Sequence, residues 1–235
     1  MSGMNFGVQV PHRGPMTDPD CVRAIVTETE KLGYGTLIVS DHIVVPKDIS
    51  SRYPYSEEGS FPGQAGGECM EQLTLLAYVA ALTSKVKLLT SVMVVPHREP
   101  LLAAKSLATT DQLSGGRVIV GCGTGWMREE FEAIGAPDFD KRGEVTDDYI
   151  RIFKKVWTDD DAAHDSPYSK FSNITFQPKP IQNRIRRSGS VANLAAPSAV
   201  WRSLGMVGIR SVPIHGHRSI QRNDTQLGGI SSMKK

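Results

Sequence analysis

Three short segments of this 235-residue chain gather side chains suited to holding a flat ligand or moving a proton. Ser40, Asp41 and His42 follow one apolar run, Thr90, Ser91 and Val92 close a second, and Gly121, Cys122, Gly123, Thr124, Gly125 and Trp126 follow a third. His42 is the strongest single candidate, because a neutral imidazole donates to or accepts from a ring or a hydroxyl near neutral pH. The competing reading is a histidine that caps its own loop. The GCGTG run lacks the GxGxxG spacing and does not follow the first strand, so its small residues suit close approach of a flat ring or a backbone better than a pyrophosphate turn. His12 belongs to the same set, although Pro11 and Arg13 fit an ordinary turn equally well. His97, within PHREP, reads as structural, and Asp159, Asp160 and Asp161 read as a solvated turn rather than a metal site.

What must position these residues is an alternation of short apolar runs with amphipathic stretches, the pattern of βα units on a parallel sheet. Strands are expected over 6–10, 36–39, 86–92 and 118–121. Asp18 stands as N-cap before Pro19, with Val22, Ile25, Val26 and Leu32 as the apolar face of a first helix that Gly33 ends. Further helices are expected over 73–82, from Pro100 to the Ser114, Gly115, Gly116 stop, and over 147–157. The polar stretch 43–68 is too long for a simple connector and reads as a substrate loop or lid. In such folds ligands bind at the carboxyl ends of the strands, where the three segments fall. Four units extrapolate to about eight in ~250 to 300 residues, the size of a (β/α)8 TIM barrel. The expected fold is therefore α/β, a partial (β/α)8 barrel of about the first four to five βα units. A doubly wound sheet has the same local periodicity and is the structural alternative.

Composition bounds the function classes. With 40% hydrophobic and 22% charged residues, the chain reads as one globular domain. No apolar run approaches the ~18 residues of a membrane span, and residues 1–14 lack the order of a signal peptide, so a cytoplasmic protein with no membrane partner is expected. Cys21, Cys69 and Cys122 are odd in number and far apart, which excludes a disulfide framework or close-spaced zinc motif and suggests reduced packing residues. The net charge of +2 hides a division: residues 1–182 hold 18 Lys+Arg against 24 Asp+Glu, a balance of −6, and 183–235 hold 9 against the single Asp224, a balance of +8. A basic tail can signal a nucleic-acid arm, but this one lacks Lys/Arg blocks interleaved with aromatics.

The segments LIVSDH, LLTSVMVVPHREPLLAAKSLATTDQLSGGRVIVGCGTGW and ITFQPKPIQ, in this order and spacing, resemble the luciferase-like monooxygenase superfamily, particularly its F420-dependent branch. The resemblance covers roughly residues 4–182 and is most specific over 86–126. It implies a TIM barrel that binds F420, or alternatively FMN, at the C-terminal mouth, and an oxidoreductase that transfers hydride or activates oxygen on a small-molecule substrate. A homodimer is compatible with the full-length family form. By position, Asp41 and His42 match an Asp-His pair near the cofactor and substrate of sugar-phosphate dehydrogenases. Ser91 and Val92 match a pair joined by a non-prolyl cis peptide that forms a bulge behind the ring, and Thr124 matches a cofactor-contacting threonine. Gly123 and Trp126 complete the expected cofactor contacts. Trp126 stands where those dehydrogenases carry a proton-donating glutamate, and Glu129 or Glu130 replaces that acid only if a helix start brings it inward.

After Gln182 the resemblance ends. In the superfamily, QPKPIQ leads into a strand, a Gly-rich loop and a helix resembling PPIWVGGESGRALRRVAKLGDGWYPIG, which carries part of the phosphate site. Codons compatible with Arg184 to Val212, read two bases later, encode that whole string. Trp201 and Met206 have one codon each, and they yield the expected Ala and Gly. Residues 1–182 are therefore expected to form the barrel region, and 183–235 to be a frameshifted tail, disordered or poorly packed, whose basic character needs no nucleic-acid partner. The rival functional reading is a non-catalytic remnant that binds no cofactor.

Overall fold

The computed structural model describes residues 6–62 and 68–182. The expected tail of 183–235 and part of the long loop lie outside the described residues.

Strands β1 (Gly7–Gln9), β2 (Thr36–Val39), β3 (Lys87–Val94) and β4 (Val118–Gly123) form one parallel sheet in the order β1-β2-β3-β4. Its register sets Val8 beside Leu37, Leu37 beside Leu88, and Leu88 beside Val118. Helix α1 (Pro19–Lys31) starts where the sequence signals it: the Asp18 carboxylate accepts from the N–H groups of Asp20 and Cys21. Pro19 fills a first-turn position whose missing N–H had no helical acceptor. Val22 and Val26 bury its inner face. Helices α2 (Gln72–Leu82) and α3 (Pro100–Leu113) follow β2 and β3, and Leu76, Val79, Ala104 and Leu107 join Leu37 and Leu88 in the core. No helix of the described residues is long and apolar enough to cross a membrane.

Two strands outrun their expected ends. Pairing between β3 and β4 shifts register after Thr90 and resumes with Met93 beside Cys122 and Val94 beside Gly123. At the shift, Thr90 Oγ1 donates to Gly121 O and accepts from Gly121 N–H, both at 2.9 Å, so a buried hydroxyl carries the ladder through the bulge. The peptide between Ser91 and Val92, inside that bulge, is cis.

Beyond β4 come α4 (Arg128–Ile134), closed by Gly135 at φ 66°, and α5 (Arg142–Thr158). Helix α5 starts earlier than the expected 147 because Val145 and Thr146 are fully buried, and packing extends the helix where periodicity is weak. The strands β5 (His164–Asp165) and β6 (Lys170–Phe171) form a small antiparallel hairpin. Asp148 of α5 anchors it, facing His164 Nε2 at 3.0 Å and accepting from Ser166 Oγ at 2.7 Å. The chain then returns along α3: Lys105 donates to Gln177 O, Gln112 to Lys179 O, and Gln182 Nε2 to Val118 O at 2.9 Å. Gln182 thus sits against the open edge of β4, which among the described residues pairs only with β3.

The end of the sheet where β3 and β4 begin is closed by two charges. Buried Arg117 donates to the carbonyls of Ala80, Thr83, Val86 and Ser114 and to Thr83 Oγ1. Burial works against the Glu30 carboxylate, but bonds from the N–H groups of Lys85, Val86 and Ser84 hold its pKa down to about 2. Of the cysteines, Cys122 is buried and Cys69 half-buried, but Cys21 is exposed on α1, a correction to its expected packing role. Among the described residues no group of three or more His, Cys, Asp or Glu side chains is placed to hold a metal, and the Asp159 backbone forms the C-cap of α5.

Candidate active site

The residues that follow β2, β3 and β4 meet at one end of the sheet, but they play unequal parts. Asp41, expected with His42 beside a reacting ring, has a fully buried carboxylate. One oxygen accepts from Val94 N–H at 2.8 Å, and the two oxygens receive a forked pair of bonds from Arg98 at 2.7 and 2.8 Å. Arg98 also donates to Glu71, the N-cap of α2. Burial disfavours the guanidinium charge, yet Asp41 and Glu71 outweigh it and raise its pKa. Burial likewise opposes ionisation of Glu71, and Thr74 N–H and Arg98 overcome it, leaving that pKa lowered. Asp41 therefore ties β2, β3 and α2 together.

His42 is held differently. Its Nδ1 lies 2.7 Å from Glu130 Oε2, while Glu130 Oε1 accepts from the N–H groups of Ile43 at 2.7 Å and Val44 at 3.3 Å. The start of α4 thus does bring one glutamate inward, and Glu130 is only 1% exposed. Burial opposes its ionisation, but the hydrogen bond with His42 and the Ile43 N–H lower its pKa. Glu129 takes the N–H groups of Ser50 and Ser51 at 2.8 and 2.9 Å, so the same helical turn also anchors the long loop. His97 lies 3.9 Å from Glu130, and burial outweighs that attraction and pushes its pKa down to about 4. It is a neutral core residue packed on Phe131, in keeping with its sequence reading.

The loop brings in side chains that the sequence reading did not single out. Phe61 packs on the His42 ring at 5.0 Å between centroids, and Tyr53 meets Phe61 at 5.2 Å and Trp126 at 5.0 Å. The Trp126 ring lies edge-on to His42 at 6.4 Å, and the Arg13 guanidinium stands 5.2 Å from the Phe61 centroid. Aromatic residues spaced along a long polar loop were the available signal, but nothing local fixes which of them fold inward. At the end of β4, a Cβ on Gly123 would stand 2.4 Å from Val92 Cγ2, so the bulge of β3 requires glycine there. Gly125 adopts φ +84°, and its Cβ would meet Phe131 at 2.6 Å.

The polar groups at this mouth include His12 Nε2, buried and without a hydrogen-bond partner among the described residues, and the side chains of His42 and Thr124. Burial lowers the His12 pKa. A polar heterocycle laid against the bulge fits this donor and acceptor set.

The sequence profile described as luciferase-like monooxygenase matches residues 4–202. The chain belongs to that family. An uncharacterized protein of Mycobacterium tuberculosis is 31% identical over 156 residues, which cover 66% of this chain and 55% of the relative. An FMNH2-dependent dimethylsulfone monooxygenase of Pseudomonas putida is 38% identical over 114 residues, 48% of this chain and 31% of that one. The coenzyme F420-dependent tetrahydromethanopterin reductase of Methanopyrus kandleri superposes with a TM-score of 0.57 at 20% identity, over 80% of this chain and 50% of that structure. The chain thus spans about half the length of the mycobacterial relative.

The Ser91–Val92 peptide of this chain is cis and lies in the β3 bulge, and Thr124 and Trp126 follow the end of β4. Trp126 lies edge-on to the His42 ring, and Glu130, four positions further on, lies at its Nδ1.

Proposed function

We propose that this chain is an oxidoreductase of the luciferase-like type that holds F420, or alternatively FMN, at the carboxyl end of its sheet and works on a small-molecule substrate. The observation that carries the reading is His42, whose Nδ1 is occupied by Glu130 while its ring packs against Phe61 and Trp126 at the mouth. A bound deazaflavin or flavin supplies hydride chemistry at its central ring, which protein side chains lack. In this reading Ser91, Val92 and Gly123 support one side of the ring, Thr124 adds a polar contact, and His42 Nε2 exchanges a hydrogen bond or proton with cofactor or substrate. Trp126, Tyr53 and Phe61 exclude water and favour an apolar part of the substrate. F420 follows from the motif resemblance, and FMN is favoured by the 38% identity to the Pseudomonas putida enzyme. Cytoplasmic placement and a homodimeric full-length form belong to the same proposal.

The test is a visible-absorbance and fluorescence titration of the 235-residue chain with each cofactor. Saturable binding of one of them is expected, and with that cofactor His42→Ala should lower turnover by ~10² or more while leaving the fold intact. No spectral change with either cofactor would favour the rival reading, a non-catalytic remnant.

A further inference from the structure

We propose that Glu130 is a positioning residue: it fixes His42 as the Nδ1–H tautomer and, through the same carboxylate, fixes the root of the loop that covers the site. The inference rests on the reading of His42 as the working side chain.

The geometry leaves little freedom. The backbone N–H groups of Ile43 and Val44 can only donate, so Glu130 Oε1 must accept. An ionised carboxylate has no proton to give, so the 2.7 Å contact at Oε2 requires the proton on His42 Nδ1. When the ring carries a single proton, that proton is on Nδ1 and Nε2 presents the lone pair of an acceptor or base. The lowered pKa of Glu130 agrees with an ionised carboxylate, although burial works against it.

The surroundings support the assignment from every side. His97, 3.9 Å from Glu130 Oε1, is held neutral by burial and does not compete as a cation. The Arg98 charge is committed to Asp41 and Glu71. His12 is also shifted towards its neutral form by burial, and Cys69 Sγ contacts the His42 carbonyl at 3.5 Å, not its ring. A single side chain thus joins the imidazole to the first residues of the loop that carries Tyr53 and Phe61 over it. An amide in its place has one oxygen and can serve either the Nδ1–H or the Ile43 N–H, with its NH2 facing the other donor.

The test uses long-range 1H–15N NMR on the full chain labelled with 15N-histidine, at about pH 8 where free imidazole is neutral. The His42 signals are identified by their loss in His42→Gln. Wild type should show Nδ1 protonated and Nε2 as the unprotonated nitrogen. Glu130→Gln should give mixed tautomers and speed amide exchange at Ile43 by about 10-fold or more, as expected for losing a charge-assisted bond. Glu130→Asp should restore part of both signals. An Nε2–H tautomer in wild type overturns the proposal, and that measurement needs no variant to fold. An unchanged tautomer and unchanged Ile43 exchange in folded Glu130→Gln overturn it as well. None of these readouts needs a cofactor, so a chain that binds neither F420 nor FMN but shows the Nδ1–H tautomer would sink the functional reading and leave this one standing.

Discussion

Arg98 shows how much of this site is held in place by groups that never reach the mouth. Its guanidinium is the forked donor to a carboxylate with no exposed surface, so its removal leaves the Asp41 charge buried with the Val94 N–H as its remaining hydrogen-bond donor among the described residues. Breaking one partner of such a pair costs about 3–5 kcal/mol, and Arg98→Ala should lose that much stability in urea unfolding. Arg98→Lys should recover only part, because a point charge cannot serve two oxygens of Asp41 and one of Glu71 together. A loss below about 1 kcal/mol for the alanine variant would place the pair among surface ion pairs in energetic terms. At this scale the sequence was partly legible. His42, Ser91, Val92, Gly123 and Thr124 stand out because they follow or close strands, a one-dimensional cue. Arg98 does not, and Glu130 enters only through the resemblance, on the condition that a helix start turns it inward, since their partners lie 57 and 88 positions away and only the exit angle of β3 and the phase of a short helix bring them together.

Elements were more legible than contacts, and the reason is their period. Thr36–Val39 matches its expected strand end for end, and α1 and α3 begin at the cap and proline that announce them. What periodicity misses is the bulge, which breaks the alternation after Thr90 and hides the last two pairs of the β3–β4 ladder. Gly123 tests this feature directly. With Val92 Cγ2 2.4 Å from the place of a Cβ, Gly123→Ala forces either β4 or the bulge to move and should cost about 1–3 kcal/mol in thermal or urea unfolding. Trimming the neighbour in the double variant Gly123→Ala, Val92→Ala should return part of that loss, with a coupling above about 0.5 kcal/mol. Additive losses would mean that the two side chains do not share the space.

For the whole molecule, the four parallel strands are one contiguous piece of a barrel, and the chain spans about half the length of its mycobacterial relative. Gln182 brings the backbone to the open edge of β4, where a fifth strand of a barrel would enter. The shifted-frame reading of the codons after Asn183 proposes that such a strand, with the Gly-rich loop and helix that follow it, is encoded there in the other frame. A helix N-terminus that receives a phosphate adds charge-assisted bonds worth about 1.5–3 kcal/mol each. Restoring that frame should therefore tighten F420 or FMN binding by roughly 10-fold or more in the same titration. Equal affinities for the two chains would remove the proposal, as would genomic sequence that supports the present frame through homologues sharing this tail.

The order β1-β2-β3-β4 also has a consequence for how the protein is made. Each strand pairs with the one synthesised just before it, so every ladder is available as soon as its second strand leaves the ribosome. No described strand waits for a distant partner, and the nascent chain grows its sheet from one side. The growing side is always the newest strand of the parallel sheet, and at Gln182 that strand is β4, with its outer backbone groups unpaired by any described strand. A translational pause at this point would hold out a template that any neighbouring extended chain can join, a hazard carried by the β4 edge and by no described ladder of the sheet.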